Sequence, residues 1–226
     1  MNTIPIRPFA AVKFVTLIAL AVVLLLLSGC RWAGVKGNGD IVTDNRAVPP
    51  FTRITADGAM EVKWTTGAPS LTITTDSNLL DYLRTRISDG ELHIEWTKPL
   101  RGTRGIKVNI ASASLERVQL NGAVRFAASR LSGRELVLEA NGATKVTFEG
   151  NVNALSAEMN GASRLDAESL TTRAMEVSIS GAGRAEVHVT EVLRVQISGA
   201  GKVIYSGEPK TVTRDISGAG SVRKRG

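Results

Sequence analysis

The chain lacks most of what small exported domains and enzymes depend on. It has one cysteine, Cys30, so no disulfide within the chain can hold it together. Its two histidines are His93 and His188. Glu91, His93 and Glu95 alternate along a strand, and side chains at every second position run outward side by side without converging on one ion. No metal or other cofactor is therefore expected. No Gly-x-Ser-x-Gly elbow occurs, and nothing marks one serine for nucleophilic work. The glycine-rich triplets do not open helices, so they are not phosphate-binding loops. The chain reads as a non-enzyme. Its longest largely apolar run, Phe14 to Leu27 with Thr16 within it, is 14 residues. About 20 are needed to cross a bilayer core, so a permanent membrane-spanning helix is the weaker reading.

The first residues carry an address. Arg7 and Lys13 precede the apolar run, which ends in Leu27-Ser28-Gly29-Cys30. That order is a secretory signal peptide over residues 1–29. The last four residues resemble a bacterial lipobox, whose cysteine is acylated on sulfur (palmitate among the chains) and becomes the new N-terminus. A lone thiol in an oxidising compartment is a liability that acylation removes. Several acyl chains give a stable anchor where one is marginal. Arg31 after the cysteine implies, by resemblance to lipoprotein sorting, the outer membrane. Cleavage removes two of the 28 basic residues and no acidic one, leaving 26 against 21. So small an excess suits an anionic envelope surface and gives no reason to expect nucleic acid. Residues 30–50 contain Gly34, Gly37, Gly39 and Pro49-Pro50 and are expected to be a flexible spacer.

The rest is repetitive. Asn/Ser-Gly-Ala recurs with its glycine at 122, 142, 161, 181, 199 and 218, at intervals of 20, 19, 20, 18 and 19, and Asp57-Gly58-Ala59 lies 64 residues upstream of the first. Apolar residues stand two and four before the glycine (Leu120 and Val118, Ile179 and Val177) and four and six after it (Phe126 and Ala128, Val146 and Phe148). Spacing by two marks half-buried strands, so each unit is strand, tight turn, strand, with the small alanine expected inside the corner. A unit this short cannot bury its apolar face alone, but stacked units can. The expected fold is all-β: a right-handed parallel β-helix of about 19-residue coils over residues 111–222. Asn-Gly between alternating segments is also a strong hairpin signal, which keeps an antiparallel fold as the competitor. Upstream, strands are expected at 51–55, 60–64, 71–74, 91–96 and 106–110, with a short helical turn after Asp76-Ser77-Asn78. The folded domain is set at 51–222.

Three residues after the repeat glycines lie Arg125, Lys145, Arg164, Arg184 and Lys202. Parallel stacking would make them a column at about 4.8 Å spacing. Like charges that close repel by about 1 kcal/mol per pair even in bulk water. Two readings follow. Either the side chains fan into solvent and pair with Glu139, Glu158, Asp166 and Glu186, or the column meets a repeating anionic polymer such as lipopolysaccharide phosphates or an acidic glycan. The tail Arg223-Lys224-Arg225 either extends the stripe or frays.

The tripeptides, with Ile54-Thr55-Ala56-Asp57-Gly58-Ala59, Asn78-Leu79-Leu80 and Gly90-Glu91-Leu92-His93-Ile94, resemble the head GIN domain family named for autotransporter adhesins. The resemblance runs over residues 40–222. It implies β-helical architecture and placement in the cell envelope, and it supplies no ligand. No room for a separate autotransporter barrel is expected in 226 residues, so the lipid is the expected membrane attachment. The resulting expectation is a lipid-anchored, adhesin-like binding module, periplasmic or surface-exposed, for an anionic glycan or surface component. The alternative is an assembly scaffold, a homo-oligomer paired through exposed coil ends or flat faces. Cys30→Ala is expected to move the protein from the membrane fraction to the soluble one, which fractionation and immunoblotting check.

Overall fold

The computed structural model describes residues 34–101, 103 and 105–226. The signal peptide, Cys30 and Arg31 lie outside the described residues. Within them the repeats form a β-solenoid. Gly58, Gly122, Gly142, Gly161, Gly181, Gly199 and Gly218 stack in one column, each in register with the next across parallel strands. Successive repeat copies pair in parallel throughout, so the hairpin alternative does not describe them. The strands preceding each turn make one sheet and the strands following it make a second. Long strands such as Arg125–Gly142 and Lys145–Gly161 bend round the far corner from one sheet to the other.

The glycine is required by contact as well as by conformation. At Gly122, Gly142, Gly161, Gly181, Gly199 and Gly218 the φ angle is between +89° and +120°, a region that costs residues with a Cβ about 1–2 kcal/mol. A Cβ there would lie 2.6–2.8 Å from the carbonyl oxygen of the glycine one coil below. Backbone cannot yield at that distance without breaking the ladder. From Gly122 to Gly199 the amide after the glycine donates to that same oxygen: Ala123 to Gly58 at 2.8 Å, then Ala143 to Gly122 and Ala162 to Gly142 at 2.9 Å. The parallel ladder thus continues through the turn.

Asparagine at the preceding position has its own partner, the asparagine one coil below. Asn160 Nδ2 donates to Asn141 Oδ1 and Asn141 Nδ2 to Asn121 Oδ1, both at 2.9 Å, and Asn121 Nδ2 donates to Asp57 Oδ1 at 2.6 Å. Asp57, an acceptor when ionised, ends the ladder.

Alternation puts every second residue inside. Val118, Leu138, Ala157, Val177 and Val195 form one buried column, and Leu120, Ala140, Met159, Ile179 and Ile197 another. Phe126 and Phe148 meet edge to face with ring centroids 6.2 Å apart. The alanine of the tripeptide is on the outside, which corrects the expectation that it lies within the corner. The residue after it is the buried one: Val124, Thr144 and Ser163, then Gly183 and Gly201. Its size varies with the residue two before the turn glycine. Where that residue is isoleucine the inner position is glycine, because a Cβ at Gly183 or Gly201 would lie 2.8 Å from Ile179 Cγ2. The extra glycine of the later Ser-Gly-Ala-Gly copies thus compensates for isoleucine bulk.

The irregular segment is a cap. Arg53–Gly58 and Glu61–Thr66 begin the solenoid and pair with the first repeat coil. Residues 70–112 are inserted between these two coils. Glu91–Trp96 and Lys107–Ser112 lie below Arg53–Gly58 and Glu61–Thr66 in parallel register. Leu83–Ser88 and Ser70–Asp76 then close that end by antiparallel pairing. The expected helical turn is a 3-10 helix, Ser77–Tyr82, with no side-chain cap from Asp76. Trp96 ends the glycine column, its Cδ1 2.8 Å from where a Gly58 Cβ would be. The spacer expectation needs correction for part of residues 30–50. Ile41–Arg46 is a strand paired with Ser70–Asp76, since that edge of the cap would otherwise leave its ladder unmet.

Gly142→Ala combines positive φ with a backbone clash, whereas a Cβ at Gly133 meets nothing within 4 Å. Gly142→Ala is expected to lower stability by about 2–4 kcal/mol, and Gly133→Ala to leave it within about 0.5 kcal/mol. Urea midpoints of the two variants check this.

Candidate functional site

The structure brings the sequence-predicted basic residues together. Arg125, Lys145, Arg164, Arg184 and Lys202 are consecutive in-register partners on the outer surface of the sheet that follows the turn. Below Arg125 the column continues with Glu61, and beyond Lys202 with Ser221. Beside it runs the exposed Gly-Ala edge. On the other sheet Glu139 stacks on Glu158. The cationic column is thus on the face after the turn, and the pair Glu139 and Glu158 on the face before it.

Within the column, Arg164 and Arg184 are neutralised. Glu186 stands between the upper arginines, its carboxylate 3.0 Å from an Arg164 guanidinium nitrogen and 2.8 Å from Arg184 Nε. Arg225 reaches back to Glu186 at 2.7 Å and also meets Glu168. Burial pushes the Glu186 carboxyl up, but the Arg184 hydrogen bond and the charges of Arg184, Arg164 and Arg225 outweigh it and hold the group below the ordinary glutamate value. Of the four carboxylates expected to relieve the column, Glu186 alone does so. Glu139 is taken by Arg117, Glu158 accepts from Asn160, and Asp166 accepts from the Glu168 amide. Arg125, Lys145 and Lys202 make no ion pair among the described residues.

The C-terminal tail is tied down, against the expectation that it frays or extends the stripe. Lys224 Nζ is 2.6 Å from Glu208, and the Arg225 amide donates to the Tyr205 carbonyl at 2.7 Å. The clamping role of Arg225 was not legible in the sequence, because its carboxylate partners Glu186 and Glu168 lie two and three coils back. Elsewhere, Glu91 and His93 are neighbours at 3.9 Å while Glu95 turns to Arg84 at 3.8 Å. Among the described residues no group of three His, Cys, Asp or Glu is placed to hold a metal ion. No helix of the described residues is long and apolar enough to cross a membrane.

Comparison with known proteins follows the architecture. Residues 50–209 match the family described as "Putative auto-transporter adhesin, head GIN domain". A "putative adhesin" of Bacteroides fragilis superposes with a TM-score of 0.70 at 20% identity, covering 85% of this chain and 100% of that one. A "putative lipid binding protein" of Parabacteroides distasonis gives 0.56 at 21% identity, with 85% and 99% covered. A "putative adhesin" of Parabacteroides merdae gives 0.53 at 22%, with 86% and 100% covered. At such identities the shared property is the fold. No curated protein matches.

Glu186→Gln removes the shared negative charge and replaces one acceptor oxygen with an NH₂ donor, which restores repulsion between Arg164 and Arg184. It is expected to cost roughly 1–2 kcal/mol at pH 7. Because the Glu186 pKa is lowered on folding, its contribution is complete above the ordinary glutamate value and is lost as pH falls through the lowered one. Denaturant melts of wild type and Glu186→Gln should converge in acid.

Proposed function

This chain belongs to the head GIN domain family, and from that premise we propose that it is a non-catalytic, lipid-tethered envelope module that binds a repeating anionic glycan. The supporting observation is the column Arg125, Lys145, Arg164, Arg184 and Lys202, in register at every coil. Adjacent strands are about 4.8 Å apart, so the surface offers a polymer the same contact repeatedly. A repeating ligand gains from this by multivalency, since each later contact forms at high effective concentration. Lipopolysaccharide phosphates and acidic polysaccharides share the necessary chemistry. The contact zone is the lower half of the column, where Arg125 and Lys145 are exposed and unpaired. Glu186 and Arg225 make the upper half the structural part. Cys30 supplies the anchor, with the domain on the outer membrane, facing the periplasm or the surface.

The scaffold alternative has less support. The coil Thr211–Gly218 to Ser221–Lys224 puts Arg214 and Lys224 at positions that hold Val195 and Tyr205 in the coil below. Inward-pointing charges on an edge strand oppose end-to-end pairing.

Lys145 lies between Arg125 and Arg164, so its reversal relieves repulsion. Lys145→Glu is expected to keep or slightly raise Tm while lowering retention on immobilised lipopolysaccharide and on polygalacturonate by about tenfold or more at low salt. Unchanged retention on both would remove the column from the binding function.

A further inference from the structure

A second cationic site lies at the capped end, on the outer face of the sheet that precedes the turn. It is built from the cap and the first coils and so is not a by-product of the repeat. Two rows cross four neighbouring strands: Arg117, Arg53, Glu91 and Ser88 in one, and Gln119, Thr55, His93 and Arg86 in the other. With Asp89 at the hairpin tip, and without Thr55, they line a groove of about 460 Å³. That is within the range of about 300–1,000 Å³ usual for small-molecule sites.

The polar groups of the groove are unevenly matched. Arg53 donates to the Asp89 carbonyl, and its Nε is 3.9 Å from Glu91. That Nε is buried and has no hydrogen-bond partner. A buried N–H in this condition costs about 1–3 kcal/mol, which a bound acceptor would offset. Arg117 is engaged with Glu139. Arg86 is exposed and makes no ion pair or hydrogen bond among the described residues. Glu91 accepts from Thr55 Oγ1 and has His93 beside it. The lining therefore holds three permanent cations against two carboxylates, Glu91 and Asp89.

We propose that this groove binds an acidic monosaccharide unit, through a carboxylate on Arg86 and Arg53 and hydroxyls on Glu91, His93 and Gln119. With Arg117 held by Glu139 and Arg53 facing Glu91, Arg86 is the one arginine of the groove without a carboxylate partner among the described residues, and a single such guanidinium suits a monoanion. Arginine presents a planar fork that fits a carboxylate. Glu91 would repel a bare or multiply charged anion, but it accepts hydrogen bonds from hydroxyls beside the acid group. The lining contains no aliphatic side chain and no Phe, Tyr or Trp, which excludes an acyl chain. The site is separate from the basic column and does not depend on it.

The test is a ligand-observed NMR titration of the complete chain in detergent with sodium D-glucuronate, with D-glucose and sodium acetate as comparators. Saturable glucuronate binding is expected, with glucose and acetate at least about tenfold weaker. Arg86→Gln is expected to weaken glucuronate at least about tenfold at unchanged Tm, because that side chain has no partner in the fold. Lys145→Glu, which disrupts the column, is expected to leave glucuronate affinity as in wild type. Absent glucuronate saturation, acetate as tight as glucuronate, an Arg86→Gln variant that binds normally, or loss of binding in Lys145→Glu would each overturn the assignment.

Discussion

The structure depends on one close approach, that of each turn glycine to the carbonyl oxygen of the glycine one coil below. A Cβ would lie within 2.8 Å of that oxygen at every copy from Gly122 to Gly218. Because only glycine tolerates this and the next amide donates to the same oxygen, the corner cannot slide by a residue. A slip of one would put a side chain into the backbone below and turn every inward residue outward. Variation in coil length is absorbed at the far corner, where the register shifts between Ala128 and Leu131 and again between Thr147 and Gly150.

Locked register makes like stand on like, and each kind of column meets that differently. Apolar columns gain by burial, at about 1.5–3 kcal/mol for each large side chain removed from water. Amide columns are self-complementary, so Asn160, Asn141 and Asn121 each donate to the side chain below and Asp57 ends the series. A column of cations has no internal solution. Here one buried carboxylate, Glu186, holds Arg164, Arg184 and the returning Arg225, while Arg125 and Lys145 remain open to solvent. The same rule that stabilises the core thus concentrates charge at the surface, and the proposed polymer contact follows from that concentration.

The cap uses the opposite logic. Antiparallel strands, a 3-10 turn and Trp96 interrupt the repeat, and dissimilar residues become neighbours. Arg53, Arg86, Arg117, Glu91 and His93 come from four strands. Non-repeating surroundings are what a discrete pocket needs, and in the molecule the groove lies on the face before the turn while the ladder lies on the face after it.

Much of this was legible in the residues. The fixed interval of Asn/Ser-Gly-Ala identified stacked coils, the period-two apolar pattern identified the inward positions, and the five basic residues followed from counting three past each of the first five repeat glycines. The placement of the exposed alanine was not legible, since a small residue fits either side of a corner and only the packing against Ile179 and Ile197 shows which neighbour is inside. Nor was the role of Ile41–Arg46, whose pairing with Ser70–Asp76 answers an edge that exists only after the insertion folds. The choice of Glu186 over Glu139, Glu158 and Asp166 depended on which donor each carboxylate meets: Arg117 for Glu139, Asn160 for Glu158 and the Glu168 amide for Asp166. The sequence by itself determined the coil, its register and the columns, because a local period repeated along a parallel stack specifies position without knowledge of distant contacts. Only the tertiary structure decided the cap, the charge pairing and the groove, because each joins residues from different coils whose separation in sequence carries no period.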